Sequence, residues 1–252
     1  MTIRLDGRHA LVTGGSRGIG RAIAAALTQA GARVTVTGRD AAALRETVAS
    51  GDAVASFAAD ITDGQAVADG IRAAAPHGVD ILIANAGGAE SRPFRKADAD
   101  HFRRMIDLNL MSVVHAVHAV LESMVARKSG RIVAIASTAG LKGYPAVSAY
   151  VAAKHAVVGL VRALALETAK HGVTVNAVCP AYTETAMLHD DVRRAAEKSG
   201  RAADAMLQTM RDSLPIGRLV RPEEVAAAVL FLCSADAAAI TGTTLAIAGG
   251  EL

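Results

Sequence analysis

Three side chains in this sequence could together move a proton on and off a carbon-bound oxygen: a hydroxyl, a phenol and an amine. They fall within residues 137–154, STAGLKGYPAVSAYVAAK. Tyr150 and Lys154 are four apart in a stretch of helical composition, so both project from one helix face. A free phenol titrates at about 10 and is a poor acid–base at neutral pH; an ammonium within a few Å favours the phenolate and lowers that value. Ser137 closes an apolar run of β type, residues 131–136 (RIVAIA). It therefore stands at a strand's carboxyl end, the edge at which open α/β sheets bind ligands. There its hydroxyl can hold a carbonyl or alcohol oxygen. Tyr-x-x-x-Lys alone is a frequent accident, and its chemical meaning depends on what the rest of the chain supplies.

Residues 13–20 (TGGSRGIG) supply a glycine-rich turn between an apolar strand and an alanine-rich helix. Gly14, Gly18 and Gly20 let the backbone turn sharply and approach an anion. The helix start adds unpaired N–H groups and a positive dipole end. The spacing is G-x-x-x-G-x-G, not G-x-G-x-x-G. Arg17 lies inside the turn and Arg39 follows the second strand. At that strand end an acidic residue serves a ribose 2′-hydroxyl, whereas an arginine suits a 2′-phosphate. Two guanidiniums, with Asp40 one step later, favour NADP(H); NAD(H) is the alternative. Asp60, after the third strand, is a candidate acceptor for an adenine amino group or a helix N-cap, and Asp63 is the better cap.

These residues need a scaffold, and the patterning specifies one. Strand-like segments at 8–13, 32–37, 53–58, 80–84, 131–136, 173–178 and 244–248 alternate with helical ones from the end of the glycine turn to about 30, then at 41–50, 63–75, 99–127, from Tyr150 to 171, and 222–233. Several strands are continuously apolar, the mark of a parallel sheet covered on both faces. One doubly wound α/β domain over residues 1–252 is expected. Residues 183–214 read as a mobile helical lid. Met187, Leu188, Met206, Leu207 and Met210 form its underside; Arg193, Arg194, Lys198 and Arg201 form a solvated face.

Composition removes other classes. At 52% hydrophobic and 20% charged residues the chain is not disordered, and with 3% aromatics its core must be aliphatic. A net charge of +3 without clustered basic runs argues against nucleic acid. No uninterrupted apolar stretch approaches the ~18 residues of a membrane span, and no leader-like segment opens the chain, so a cytoplasmic protein is expected. Cys179 and Cys233 read as buried inert thiols. His115 and His118 lack a third ligand, so no metal site is expected.

Jointly, Thr13-Gly14-Gly15-Ser16-Arg17-Gly18-Ile19-Gly20, Asp60, Asn85-Ala86-Gly87, Asn109, Ser137, Tyr150, Lys154 and Pro180 resemble the short-chain dehydrogenase/reductase family over essentially the whole chain. The resemblance implies a Rossmann fold with a seven-stranded parallel sheet and helices on both faces. It makes Tyr150 the proton donor or acceptor, and gives Lys154 the roles of lowering its pKa and holding the nicotinamide ribose. It assigns the substrate oxygen to Ser137 and a water-linked proton relay to Asn109. It gives Gly14, Ser16, Arg17, Gly18, Ile19, Gly20, Arg39, Asp60, Ile61, Asn85, Ala86 and Gly87 to the dinucleotide. Pro180, Thr183 and Thr185 would lie against the nicotinamide, with Val178 and Thr183 flanking its carboxamide. The chain departs from the family pattern at Ala84, Ala181 and Ala248.

Residues 150–159 and 176–180 are similar to 3-hydroxybutyrate dehydrogenases and to polyketide or acyl-carrier ketoreductases. The implied activity is an NADPH-dependent 3-oxoacyl-type ketoreductase acting on a small ketone or secondary alcohol, with an acyl thioester as one candidate. Arg127, Lys128 and Lys170 are candidates to meet its acidic carrier. An NAD(H)-dependent secondary-alcohol or 3-hydroxy acid dehydrogenase is the alternative, and a non-catalytic cofactor-binding regulator the remote one. The family also implies a homotetramer, built through residues 108–125 and 241–252.

Overall fold

The computed structural model describes residues 3–252, with the Lys198 side chain outside the described residues. Strands β1 (His9–Thr13), β2 (Arg33–Gly38), β3 (Ala55–Ala58), β4 (Ile81–Ala84), β5 (Gly130–Ile135), β6 (Val173–Pro180) and β7 (Thr244–Ile247) form one parallel sheet in the order β3-β2-β1-β4-β5-β6-β7. The chain winds outward from β1 to β3, returns to place β4 against β1, and winds outward again. That reversal opens a crevice beyond the carboxyl ends of β1 and β4, the edge where Gly14 and Asn85 follow their strands.

Alternation along the strands divides the core. Leu11, Leu82, Ile132, Val175 and Ala177 face one side, under Val67 and Ile71 of α3 (Gly64–Ala74), Val117 and Met124 of α5 (Ser112–Ala126), and Val157 and Val161 of α6 (Ser148–Thr168). Ala10, Val12, Val34, Ile83 and Val133 face the other, under Ile23 and Leu27 of α1 (Gly18–Gln29), Leu44 of α2 (Ala41–Ala49), and Val225 and Val229 of α9 (Pro222–Cys233). A parallel strand has no water-facing side, which is why these runs read as unbroken apolar. Asp40 and Asp63 start α2 and α3 by accepting hydrogen bonds from first-turn amides. Asp63 is thus the cap, as expected.

Two local expectations change. The single helix foreseen over 99–127 is α4 (Ala99–Ile106) and α5 joined by a π turn, Asp107–Met111. The widened turn carries the buried Asn109, and such turns commonly mark functional sites. Strand β6 continues through Cys179 and Pro180, because both pair with β7. Residues 183–214 contain α7 (Ala186–Ser199) and α8 (Ala203–Asp212), with Leu207 buried and Arg193 and Arg194 paired outward with Asp190 and Asp191. The helical spans Ala99–Ala126 and Ser148–His171 reach a mean hydropathy of 1.4. Their buried residues pack on the sheet face described above.

A polar clasp holds the crevice together. The buried Thr13 hydroxyl accepts the backbone N–H groups of Asn85 and Ala86, each at 3.0 Å, and the Asn85 amide donates to the carbonyls of Thr13 (2.9 Å) and Gly14 (3.1 Å). Thr13→Val keeps the shape and strands two N–H groups. It should cost on the order of 2–4 kcal/mol in urea unfolding, with Thr13→Ser recovering most of it; equal stability of wild type and Thr13→Val would show that water satisfies those amides instead.

Candidate active site

The first wall of the crevice is the glycine turn. Gly14 (φ 65°) and Gly18 (φ 53°) take left-handed conformations, and the Gly14 and Gly15 amides bond the Thr37 carbonyl. A Cβ on Gly20 would lie 2.2 Å from the Gly14 carbonyl oxygen, so only glycine lets the helix start lie against the turn. Helix α1 has no acidic residue in its first turn and, unlike α2 and α3, no side-chain cap. Its open amides and dipole end suit a pyrophosphate. Arg17 and Arg39 line the same cavity. Among the described residues neither has a carboxylate partner, whereas nearby Arg21 is held by Asp52 (2.7 Å) and Glu46 (2.9 Å). Asp60 accepts from the backbone N–H (2.9 Å) and hydroxyl (2.8 Å) of Thr62, which hold its carboxyl below the usual range, while its neighbours Ala59 and Ile61 line the cavity.

The second wall carries the proton chemistry. Ser137 follows β5; its Oγ accepts from the Ala139 N–H at 3.1 Å, and it lines the cavity together with Tyr150. Lys154, 4% exposed, donates from Nζ to the Ile135 carbonyl at 2.9 Å and lies 5.7 Å from the Tyr150 ring centroid. Burial pushes the Lys154 ammonium down to about 8 and pushes the Tyr150 phenol above its ordinary value, with Ser137 opposing the latter. A phenol kept protonated is the form that can donate.

Close packing sets these positions. A Cβ on Gly87 would lie 2.7 Å from Asn109 Oδ1 and 3.6 Å from Lys154 Nζ, and one on Gly140 would lie 2.7 Å from the Lys154 carbonyl oxygen. Asn109 accepts from the Gly88 N–H (3.1 Å) and donates to the carbonyls of Gly88 (2.9 Å) and Met105 (3.0 Å). Both ends of its amide thus hold the loop after β4.

Beyond β6, Pro180, Thr183 and Thr185 line the cavity. Thr183 donates to the Ala181 carbonyl, and Thr185 caps α7 with its methyl facing Gly18 across the crevice. Val178 does not reach the cavity: β6 is longer than foreseen, and this residue is fully buried in the sheet core. Arg127, Lys128 and Lys170 are also misplaced for their suggested role. They cluster near the amino ends of β5 and β6, with Arg127 bonded to the Val79 carbonyl and the Lys128 carbonyl beside Gly172. Within one chain that is the sheet edge opposite the crevice. Tyr144 and Tyr182, which the motifs did not single out, line the cavity and meet edge to face at 6.5 Å. Their one sequence signal is scarcity: all three tyrosines of the chain sit here.

Among the described residues no cluster of three potential metal ligands occurs. His115 packs on Gly64, and burial raises the Cys179 and Cys233 thiols to about 11 and 12, as befits inert groups.

The cavity so formed encloses about 900 Å³ and runs from Arg39 past Tyr150 to the underside of α7 and α8. A family model described as short chain dehydrogenase matches residues 8–196. The chain belongs to the short-chain dehydrogenase family. It is 42% identical to the acetoacetyl-CoA reductase of Rhizobium meliloti (strain 1021) over 97% of this chain and 98% of that one. It is 36% identical to a D-beta-hydroxybutyrate dehydrogenase of the same organism over 96% and 98%. A variant of actinorhodin polyketide ketoreductase solved with NADPH superposes with a TM-score of 0.92 at 34% identity, covering 97% of each chain. The chain is thus an oxidoreductase with a dinucleotide-binding fold, and its Ser137, Tyr150 and Lys154 stand together at the topological switch point.

A buried ammonium gives a checkable sign. The unfolded Lys154 keeps its proton to about 10.5 and the folded one only to about 8. The unfolded state binds more protons between those values, so this group's contribution to stability rises with pH across that window, and its penalty is full below it. Lys154→Met should therefore stabilise the ligand-free protein at pH 7 by on the order of 2 kcal/mol, after the lost bond to Ile135 is set against the relieved desolvation. The advantage should shrink by about pH 10, and turnover should be abolished. A variant that melts below wild type at pH 7 would contradict the burial argument.

Proposed function

We propose that this chain is an NADPH-dependent ketoreductase acting on a 3-oxoacyl thioester, and that it works as a cytoplasmic homotetramer. One observation carries the reading: the distribution of charge along the cavity. Unpaired Arg17 and Arg39 line the dinucleotide end, while beyond Lys154 the lining side chains on the substrate side include no cation among the described residues. Two free guanidiniums suit a 2′-phosphate. Asp40, the residue an NAD(H) reading would use, is engaged as the cap of α2. A substrate side formed by Ala139, Tyr182, Met187, Met206 and Met210 offers no cation to a free carboxylate and an adaptable apolar surface to a neutral acyl chain. That favours a thioester over a 3-hydroxy acid. The names of the relatives point the same way. Exposed Leu166 on α6 and half-buried Leu121 on α5 support association through these helices.

When bound, NADPH would supply hydride to the carbonyl carbon. Ser137 and Tyr150 donate hydrogen bonds to the carbonyl oxygen, and the phenol transfers its proton as negative charge develops there. The Lys154 ammonium, held by the Ile135 carbonyl, stabilises the phenolate that remains.

The test is a pair of titrations. NADPH should bind at least about tenfold more tightly than NADH, and Arg39→Ala should remove most of that difference, in line with the worth of a charge-assisted contact. Acetoacetyl thioesters should be reduced and free acetoacetate should not. Tyr150→Phe should lose turnover and keep NADPH affinity. Tighter NADH binding, or preference for the free acid, would shift the assignment to an NAD(H)-dependent dehydrogenase.

A further inference from the structure

The C-terminal tail reaches into the substrate wall. After β7, Gly249 (φ 57°) and Gly250 (φ 88°) turn the chain back, with the Glu251 N–H bonded to the Ala248 carbonyl. This buries the Glu251 carboxylate, 6% exposed, behind the loop that follows Ser137. The Tyr144 phenol donates to Glu251 Oε1 at 2.7 Å and lies 2.6 Å from Thr138 Oγ1. A carboxylate only accepts, so the phenol proton goes to Glu251 and the Thr138 hydroxyl donates to the phenol oxygen. Lys142 Nζ closes the cluster at 3.1 Å from Oε1 and 5.1 Å over the Tyr144 ring. Glu251 Oε2 is buried without a partner among the described residues.

Burying a carboxylate is unfavourable unless it is paired and bonded. The same wall could have been closed with apolar side chains. What the charged cluster adds is direction: one fixed donor chain from Thr138 through Tyr144 to Glu251, tied to Lys142 six residues before α6 begins. Thr138 adjoins Ser137, and Tyr144 and Thr138 both line the cavity. Tyr144 in turn supports Tyr182 edge to face, beside the base of α7.

We propose that Glu251 is a positioning residue for substrate: through Tyr144 and Lys142 it fixes residues 138–147 as a rigid wall beside Ser137 and so sets how the acyl chain meets Ser137 and Tyr150. The proposal rests on the reductase reading above. Glu251 touches no reacting atom, so its effect falls on the fit of the ketone and not on the dinucleotide.

The test uses the full-length chain with NADPH and an acetoacetyl thioester. Glu251→Ala and Tyr144→Phe should each raise KM for the ketone by about tenfold while kcat stays within about threefold and NADPH affinity is unchanged. The double variant should be no worse than either single one, since both break one link. Glu251→Gln keeps an acceptor for the phenol and should hold KM within about threefold of wild type. An unchanged KM in both single variants, or an equal loss of NADPH affinity, overturns the proposal.

Alkaline absorbance titration of the three tyrosines gives a readout free of turnover. Burial and the bonded Glu251 hold the Tyr144 phenol far above its ordinary value, so Glu251→Ala should bring one phenol down. An unaltered titration overturns the link. If Glu251→Ala fails to fold, the same titration of Glu251→Gln, with Tyr144→Phe identifying the shifted phenol, decides the matter. If the wild type reduces no ketone, the reductase reading fails while the titration still judges the clasp.

Discussion

A buried ammonium is the most demanding object this chain folds around. Lys154 lies beneath the carboxyl end of β5, out of water, on a single carbonyl, that of Ile135. Desolvation makes its charge unfavourable and readily lost. The surroundings follow from the need to hold it there. Gly87 and Gly140 bring two backbones close enough that a Cβ at either would collide, one with the Asn109 amide and the other with the Lys154 carbonyl. The π turn places Asn109 where it can hold Gly88, so the loop after β4 closes one side of the pair.

The sheet supplies the frame for this arrangement and is itself locked at the same edge. Thr13 and Asn85 join the ends of β1 and β4 across the switch point by side-chain to backbone bonds, where the ladder between those strands has ended. The phosphate turn and the proton-transfer side chains therefore share one rigid border. Helices packed on the two faces keep water from the strands but leave that border open, where α7 and α8 line the cavity with Met187, Leu188, Met206 and Met210. Stability and chemistry are separated in space: aliphatic packing lies within the layers, and polar groups lie at the carboxyl rim.

The departures from the family pattern lie at or just past the carboxyl ends of β4, β6 and β7. Ala84 is buried in the apolar layer under α5 and α6. Ala181 still donates its N–H to the Ile247 carbonyl, so β6 and β7 stay paired to the edge of the cavity. Ala248 is buried, and its carbonyl receives the Glu251 N–H, which starts the turn that carries the tail to Tyr144. A residue at the far end of the sequence thereby joins the wall beside Ser137.

Much of this was legible from the order of residues alone. Unbroken apolar runs separated by helical segments specify a doubly wound parallel sheet, because buried strands have no polar face to show. Gly14, Gly18 and Gly20 mark the phosphate turn, because no other residue tolerates those angles and approaches. Ser137, Tyr150 and Lys154 declare themselves by strand end and helical spacing. Other features depend on contacts between distant segments and leave no local trace. The length of β6, and hence the burial of Val178, follows from its pairing with β7. The break in the 99–127 helix follows from the demand of Gly88 on Asn109. The protonation bias of Tyr150 and Lys154 in the folded chain follows from desolvation, which spacing cannot report. The meeting of Tyr144 with Glu251 spans 107 positions. The sequence alone determined the strands, the turns and the reactive groups. The tertiary structure decided which groups lose water and which distant backbones touch, because burial and close approach are properties of the packed chain and not of any stretch within it.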